Sequence, residues 1–326
     1  MSFSEKIVNR RDRRPPAKEA ADFGHDDPSR NGRSKPTERG QWAIKWSFLI
    51  LMATGLIQAG IVALSGSVAL LADTVHNFGD AFTTLPLWIA FGLARKSPSR
   101  RFTYGYGRVE DLAGLIIVVV ILASAALAGY ESALRFMNPR EVSHLAVVAL
   151  AAVVGFVGNE VVAQFRIRVG KRIKSAALEA DGKHARVDGL TSLGVLAGVL
   201  GIRMGWAWAD PLVGILITLV IVHIAWDSGK TVIPRLLDAV DPEVVDRVKE
   251  ILQRQADVED VSDIRMRWLG HRMLAEANLA VAPELTVANA HTVAAKARRA
   301  VRGEIGHIRN IIIHVDPKGA SEEAHH

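Results

Sequence analysis

The sequence predicts an all-α membrane bundle of six transmembrane helices, followed by a C-terminal cytoplasmic α+β domain. Three observations carry that prediction. Of the 326 residues, 49% are hydrophobic and only 23% are charged. The charges leave long gaps, with none between Lys45 and Asp73, between Asp111 and Glu131, or between Glu141 and Glu160. About 20 apolar residues in a helix cross a hydrocarbon core of about 30 Å, and each gap is of that order. After Asp238 the long apolar runs stop and short periodic elements replace them. Several spans in one chain exclude a simple soluble enzyme.

Residues 1–40 hold ten Lys/Arg, seven Asp/Glu, several Pro and Gly, and almost no large apolar side chains. Such a segment cannot bury enough surface to offset its ordering entropy, so a disordered basic arm is expected. It has no apolar core of its own, which argues against a cleaved signal peptide. The transmembrane domain is expected over 41–237, with apolar segments at 42–64, 67–94, 110–134, 144–165, 177–203 and 208–228. Within the soluble domain, expected over 238–318, residues 242–254 read as an amphipathic helix because Val244, Val245, Val248, Ile251 and Leu252 recur at helical spacing. Ile264, Met266 and Trp268 alternate with charged residues, and Met273, Ala275, Ala277, Leu279 and Val281 alternate in the same way, so two strands follow. A second helix fits 286–302 and a final strand fits Asn310–Val315, which gives the order α-β-β-α-β. The tail, 319–326, is expected to be disordered.

Basic residues set the orientation. The arm, the 2–3 connection (Arg95, Lys96, Arg100, Arg101, Arg108) and the 4–5 connection (Arg166, Arg168, Lys171, Arg172, Lys174) are Lys/Arg-rich. The opposite turns carry few, so both termini are expected in the cytoplasm, which an even number of spans requires. The net charge of +6 therefore reflects membrane orientation rather than nucleic-acid binding. Cysteine is absent, so any metal must be held by imidazole and carboxylate.

Ionisable residues at mid-bilayer cost a few kcal/mol and need a reason. The second segment reads Asp73-Thr-Val-His76-Asn-Phe-Gly-Asp80 and the fifth reads Asp181-Gly-Lys-His184-Ala-Arg-Val-Asp188. Each holds His-x-x-x-Asp, whose two side chains share one helix face. Two such helices face to face would offer His76, Asp80, His184 and Asp188 to one point, a sulfur-free four-ligand set that suits tetrahedral zinc. A proton relay or a structural ion-pair network is the competing explanation. Asp73, one turn before His76, is placed to orient the imidazole, to accept a proton, or to bond a neighbouring helix.

The stretch Gly66-Ser-Val-Ala-Leu-Leu-Ala-Asp-Thr-Val-His76-Asn-Phe-Gly-Asp80 resembles the second span of the cation diffusion facilitators. Tyr104-Gly-Tyr-Gly-Arg108-Val-Glu resembles the family motif entering the third span, and Asp210-Pro211 resembles the start of the sixth. The resemblance covers about 42–318. It implies a homodimeric, proton-coupled exporter of divalent metal with six spans and a metallochaperone-like cytoplasmic domain, and makes His76, Asp80, His184 and Asp188 the transport ligands. The lack of targeting signals and the short connections point to a bacterial inner membrane. Two histidines and two aspartates resemble the zinc-selecting members, whereas manganese members tend to carry carboxylates instead. A metal site that some bacterial members hold in the 2–3 connection is expected to be missing, because Phe102-Thr-Tyr-Gly-Tyr106 offers no imidazole.

In the cytoplasmic domain His291, His314 and Asp316 match positions of a regulatory metal site, but Ser262 and Asn278 stand where other members have histidine. His271 and His307 are candidate substitutes, although a lone histidine at a strand end is more often solvated or in a core. Arg108 and Asp238 match a charge interlock between the two domains, or are two ordinary interfacial charges.

The expected function is secondary transport: zinc leaves the cytoplasm in exchange for protons by alternating access around the four ligands. Zinc is cargo and a candidate regulatory ligand; no cofactor is called for. Cadmium, cobalt, iron and manganese are alternative cargoes, and a membrane-anchored metal sensor is the alternative role. A metalloprotease is disfavoured, since no His-Glu-x-x-His occurs and four ligands leave no vacant position. Expected partners are the metal ion, protons, lipid and a second copy of the chain.

Overall fold

The computed structural model describes residues 29–65, 84–137, 145–206 and 208–319. Among the described residues six helices come first: α1 (Ser29–Ser65), α2 (Leu85–Ala94), α3 (Arg108–Met137), α4 (Leu145–Ile173), α5 (Ala176–Arg203) and α6 (Ala209–Leu236). The α+β part follows as α7 (Pro242–Gln253), β1 (Asp260–Leu269), β2 (Arg272–Val281), α8 (Val287–Glu304) and β3 (Ile308–Pro317).

Among the described residues four helical stretches are long and apolar enough to cross a membrane: Pro36–Ile61, Arg108–Met137, Ala146–Ile173 and Ala209–Leu236. Helix α5 matches them in length, but the charges of its first half lower its mean hydropathy. Of the second expected segment, residues 67–83 lie outside the described residues, and Leu85–Ala94 is the apolar helix that closes it.

Two sequence expectations need correction. The arm was expected to extend to residue 40, yet residues 36–40 are helical and partly buried. Thr37 bonds His271 across 3.2 Å, and a side chain at Gly40 would meet the Phe91 ring at 2.7 Å. Composition cannot register this, because polar docking and a glycine contact replace apolar burial there. The fourth segment was expected to end at residue 165 and the fifth to start at 177, yet α4 continues to Ile173 and only Lys174 and Ser175 separate it from α5. Lys174 adopts a left-handed φ of 62°, and the Ser175 hydroxyl accepts from the Leu178 N–H at 3.2 Å, capping α5. Arg166 is therefore a helical residue inside the bundle, not a loop cation.

That turn makes α4 and α5 an antiparallel pair whose backbones nearly touch. A Cβ on Gly170 would lie 2.8 Å from the Glu179 nitrogen, and one on Gly182 would lie 2.9 Å from the Ile167 nitrogen. Small residues let membrane helices approach in this way. Helix α3 packs chiefly on α6. Leu87, Phe91, Ile117, Ile121, Leu178 and Ile221 form the shared apolar core.

In the α+β part, β1 pairs antiparallel with β2 and β2 pairs parallel with β3, with α8 as the crossover. Met273, Ala275, Ala277, Leu279 and Val281 are buried in strict alternation, as the period of two requires. They share a core with Val248, Ile251 and Leu252 of α7 and Ala297 and Val301 of α8. Asp241 and Thr286 cap the two helices, accepting from Glu243 N–H at 3.1 Å and Asn289 N–H at 3.3 Å.

The β1–β2 turn seats on the start of α3. Gly270 N–H donates to Asp111 Oδ2 at 2.9 Å, and Glu110 meets the His271 ring nitrogen at 2.7 Å. Ser175 donates to the other Glu110 oxygen at 2.5 Å, so one buried carboxylate ties the α4–α5 turn to the hairpin tip. At the rim, Arg108 contacts the Asp238 carboxylate and donates to the Leu236 carbonyl at 2.9 Å.

Gly270 has a left-handed φ of 61°, and a Cβ there would sit 2.4 Å from Glu110 Oε2. Gly270→Ala is expected to weaken the seating by about 1–3 kcal/mol. Hydrogen exchange should speed up at residues 269–272 while the β2 core amides stay protected; unchanged exchange at the tip would contradict the seating.

Candidate metal site

Helix α5 begins at the Ser175 cap and carries Asp181, His184 and Asp188 at relative positions 0, 3 and 7, which share one face. That face turns inward, with His184 only 2% and Asp188 6% exposed. His184 Nδ1 stands 3.8 Å from Asp188 Oδ1. This separation is too long for a hydrogen bond. Ligand atoms about 2.0–2.2 Å from a tetrahedral zinc ion are themselves roughly 3.4 Å apart, so small side-chain adjustments would let both groups hold one ion. Thr191 and Ser192 donate to the Asp188 carbonyl at 2.7 and 3.2 Å, bonding back along the helix below the carboxylate.

Asp73, His76 and Asp80 lie outside the described residues. Among the described residues no three His, Asp or Glu side chains are grouped to hold an ion.

The surroundings hold more charge than hydropathy indicated. Arg166 of α4 and Asp181 of α5 are 1% and 0% exposed, and Arg166 Nη1 lies 3.0 Å from Asp181 Oδ2. Arg186 binds Glu160 through two bonds, Nε at 3.1 Å and Nη2 at 2.9 Å. Lys183 pairs with Asp227 of α6 at 2.5 Å. Sequence reasoning missed these pairs because it placed the fourth segment's end at residue 165 and treated Arg166 as interfacial. The available signal was spacing, since Asn159 and Arg166 are two turns apart and both are buried on α4.

Of the three residues matched to a cytoplasmic metal site and the two candidate substitutes, only His314 and Asp316 are in contact. His314 Nε2 is 2.9 Å from Asp316 Oδ1 near the end of β3. His291 is exposed on α8, and His271 is enclosed by Glu110 and Thr37 at the hairpin seat. His307 stacks on Trp268, ring centres 5.4 Å apart, while Arg235 covers the same indole at 4.2 Å.

Two family models match the chain: the cation efflux transmembrane domain over residues 44–237, and the cation efflux protein cytoplasmic domain over 240–318. The probable cation efflux system protein Rv2025c of Mycobacterium tuberculosis is 50% identical over 281 residues, covering 86% of this chain and 85% of that one. The manganese efflux system protein MneP of Bacillus subtilis is 25% identical, over 86% of this chain and 98% of that one. The magnetosome protein MamB of Magnetospira is 27% identical, over 84% and 94%. The chain belongs to the cation diffusion facilitators, a family of multi-pass membrane proteins that transport cations rather than catalyse reactions.

Burial against Trp268, and then the like charges of Lys174 and Arg235, hold the His307 imidazole below its ordinary value of 6.5. The unfolded chain therefore takes up a proton at His307 before the folded one does. Its contribution to stability is complete above about pH 6.5 and is lost as pH falls towards the depressed value. A proton-resonance titration should show His307 midway through protonation below pH 6.5, and His307→Gln should flatten that part of the acid stability profile. A midpoint at or above the ordinary value would contradict the stacked, cation-flanked environment.

Proposed function

We propose that this protein exports divalent metal, zinc foremost, from the cytoplasm in exchange for protons. The transport site comprises His76 and Asp80 of the second span with His184 and Asp188 of α5. The observation that carries the proposal is the pairing of His184 and Asp188, buried one turn apart on α5 and 3.8 Å from each other. The second span repeats their spacing. Two imidazoles and two carboxylates favour zinc over manganese, which prefers an all-oxygen shell.

Zinc enters from the cytoplasmic side when the histidines are neutral and the aspartates ionised. The helices then re-pack to open the site outward, and protons compete the metal off, because these ligands bind only when deprotonated. Asp73 serves as an orienting carboxylate or a proton acceptor. Six spans place both termini in the cytoplasm of an inner-membrane protein, and the protein works as a homodimer joined through its cytoplasmic domain. The name of the Bacillus relative keeps manganese as the second cargo to test.

Proteoliposomes with an acidic lumen should take up zinc and lose protons in proportion. Asp188→Ala and His76→Ala should each abolish uptake; a variant that still transports would remove its residue from the mechanism. His76→Asp should admit manganese, and unchanged selectivity would mean that these ligands do not choose the ion. Binding without flux in wild type would favour a sensor.

A further inference from the structure

We propose that Arg166 is a positioning residue for the transport site. Its guanidinium holds the Asp181 carboxylate in a buried ion pair and keeps it out of the ion's coordination shell. The inference rests on His184 and Asp188 being ligands, as proposed above.

Asp181 lies on the ligand face, three residues before His184 and seven before Asp188, within about 60° of both around the helix. It is about 4.5 Å from His184 along the axis, within reach of a side-chain rotation. A third carboxylate beside two imidazoles would add a hard oxygen ligand and draw the site towards the higher coordination numbers of manganese. Arg166 meets that carboxylate at 3.0 Å with neither side chain exposed. The two backbones meet beside the pair: a Cβ on Gly182 would lie 3.0 Å from Arg166 Cβ. Arg166 Nε and Nη2 and both Asp181 carboxylate oxygens have no hydrogen-bond partner among the described residues, so what joins the two side chains is the electrostatic approach of Nη1 to Oδ2.

Arginine suits the task better than lysine. Its planar guanidinium presents its donors in a rigid fork whose shape matches a carboxylate, whereas an ammonium is a point charge on a flexible stem. Asp181 is thereby removed as a ligand.

The test reconstitutes the full chain and measures zinc and manganese uptake side by side. Arg166→Met should lower the zinc-to-manganese ratio about tenfold or more, the scale on which residues that orient metal ligands act. Arg166→Met combined with Asp181→Leu should return the ratio to wild type, because the freed carboxylate is gone. An unchanged ratio in the single variant, or a ratio that stays low in the double, overturns the proposal. If Arg166→Met fails to assemble, Arg166→Lys keeps the charge but not the planar fork. The ratio should fall in that variant too, and an unchanged ratio again overturns the proposal. Asp188→Ala in the same panel separates the two claims. Zinc uptake in that variant defeats the transport-site reading itself, whereas its loss beside an unchanged Arg166→Met ratio defeats only the role given to Arg166.

Discussion

The near-contact of the α4 and α5 backbones is the constraint on which the site depends. Buried ionisable groups survive in a membrane only when each meets its partner at short range, since neither lipid nor water can substitute. Gly170 and Gly182 let the two helices come that close, and the Lys174–Ser175 turn fixes their register. Arg166 then faces Asp181, and His184 and Asp188 are held inward on the next two turns. A larger residue at Gly182 would separate the helices and strand two opposite charges in hydrocarbon, with consequences of a few kcal/mol for each unpaired group.

The same turn also connects the site to the α+β domain. Ser175, which starts α5, shares Glu110 with His271 at the hairpin tip. Three parts of the molecule therefore meet at one buried carboxylate: the entry to α3, the α4–α5 turn and the soluble sheet. Helix α5, which carries His184 and Asp188, begins immediately after this junction. Arg108 with Asp238, and Arg235 stacked on Trp268, brace the rim of the contact.

The soluble domain was the more legible half. Strict alternation along β2 and the apolar stripe of α7 follow directly from side-chain geometry, and the structure reproduces the α-β-β-α-β order. The inward placement of His184 and Asp188 was also legible, because a repeated polar motif in an apolar segment has few other uses. Hydropathy failed where charge is buried in pairs. It ended the fourth segment before Arg166, although α4 continues to Ile173, since a single-residue scale cannot know that Asp181 waits on the next helix. It also left Thr37 in a disordered arm, because the partners that order this residue, His271 and Arg272, lie more than 230 residues away. His271 itself, a candidate substitute at a regulatory metal site, is enclosed by Glu110, a contact that no local pattern announces.

The central claim is that the second span and α5 pool their ligands around one ion. X-ray absorption at the zinc edge of the loaded, reconstituted protein tests it most directly. The account predicts a single four-coordinate nitrogen and oxygen shell at about 2.0–2.2 Å with the outer-shell scattering of two imidazoles. His76→Ala and His184→Ala should each reduce that scattering to one ring. A shell with one imidazole or none in the wild type, or one that either substitution leaves unchanged, would contradict it.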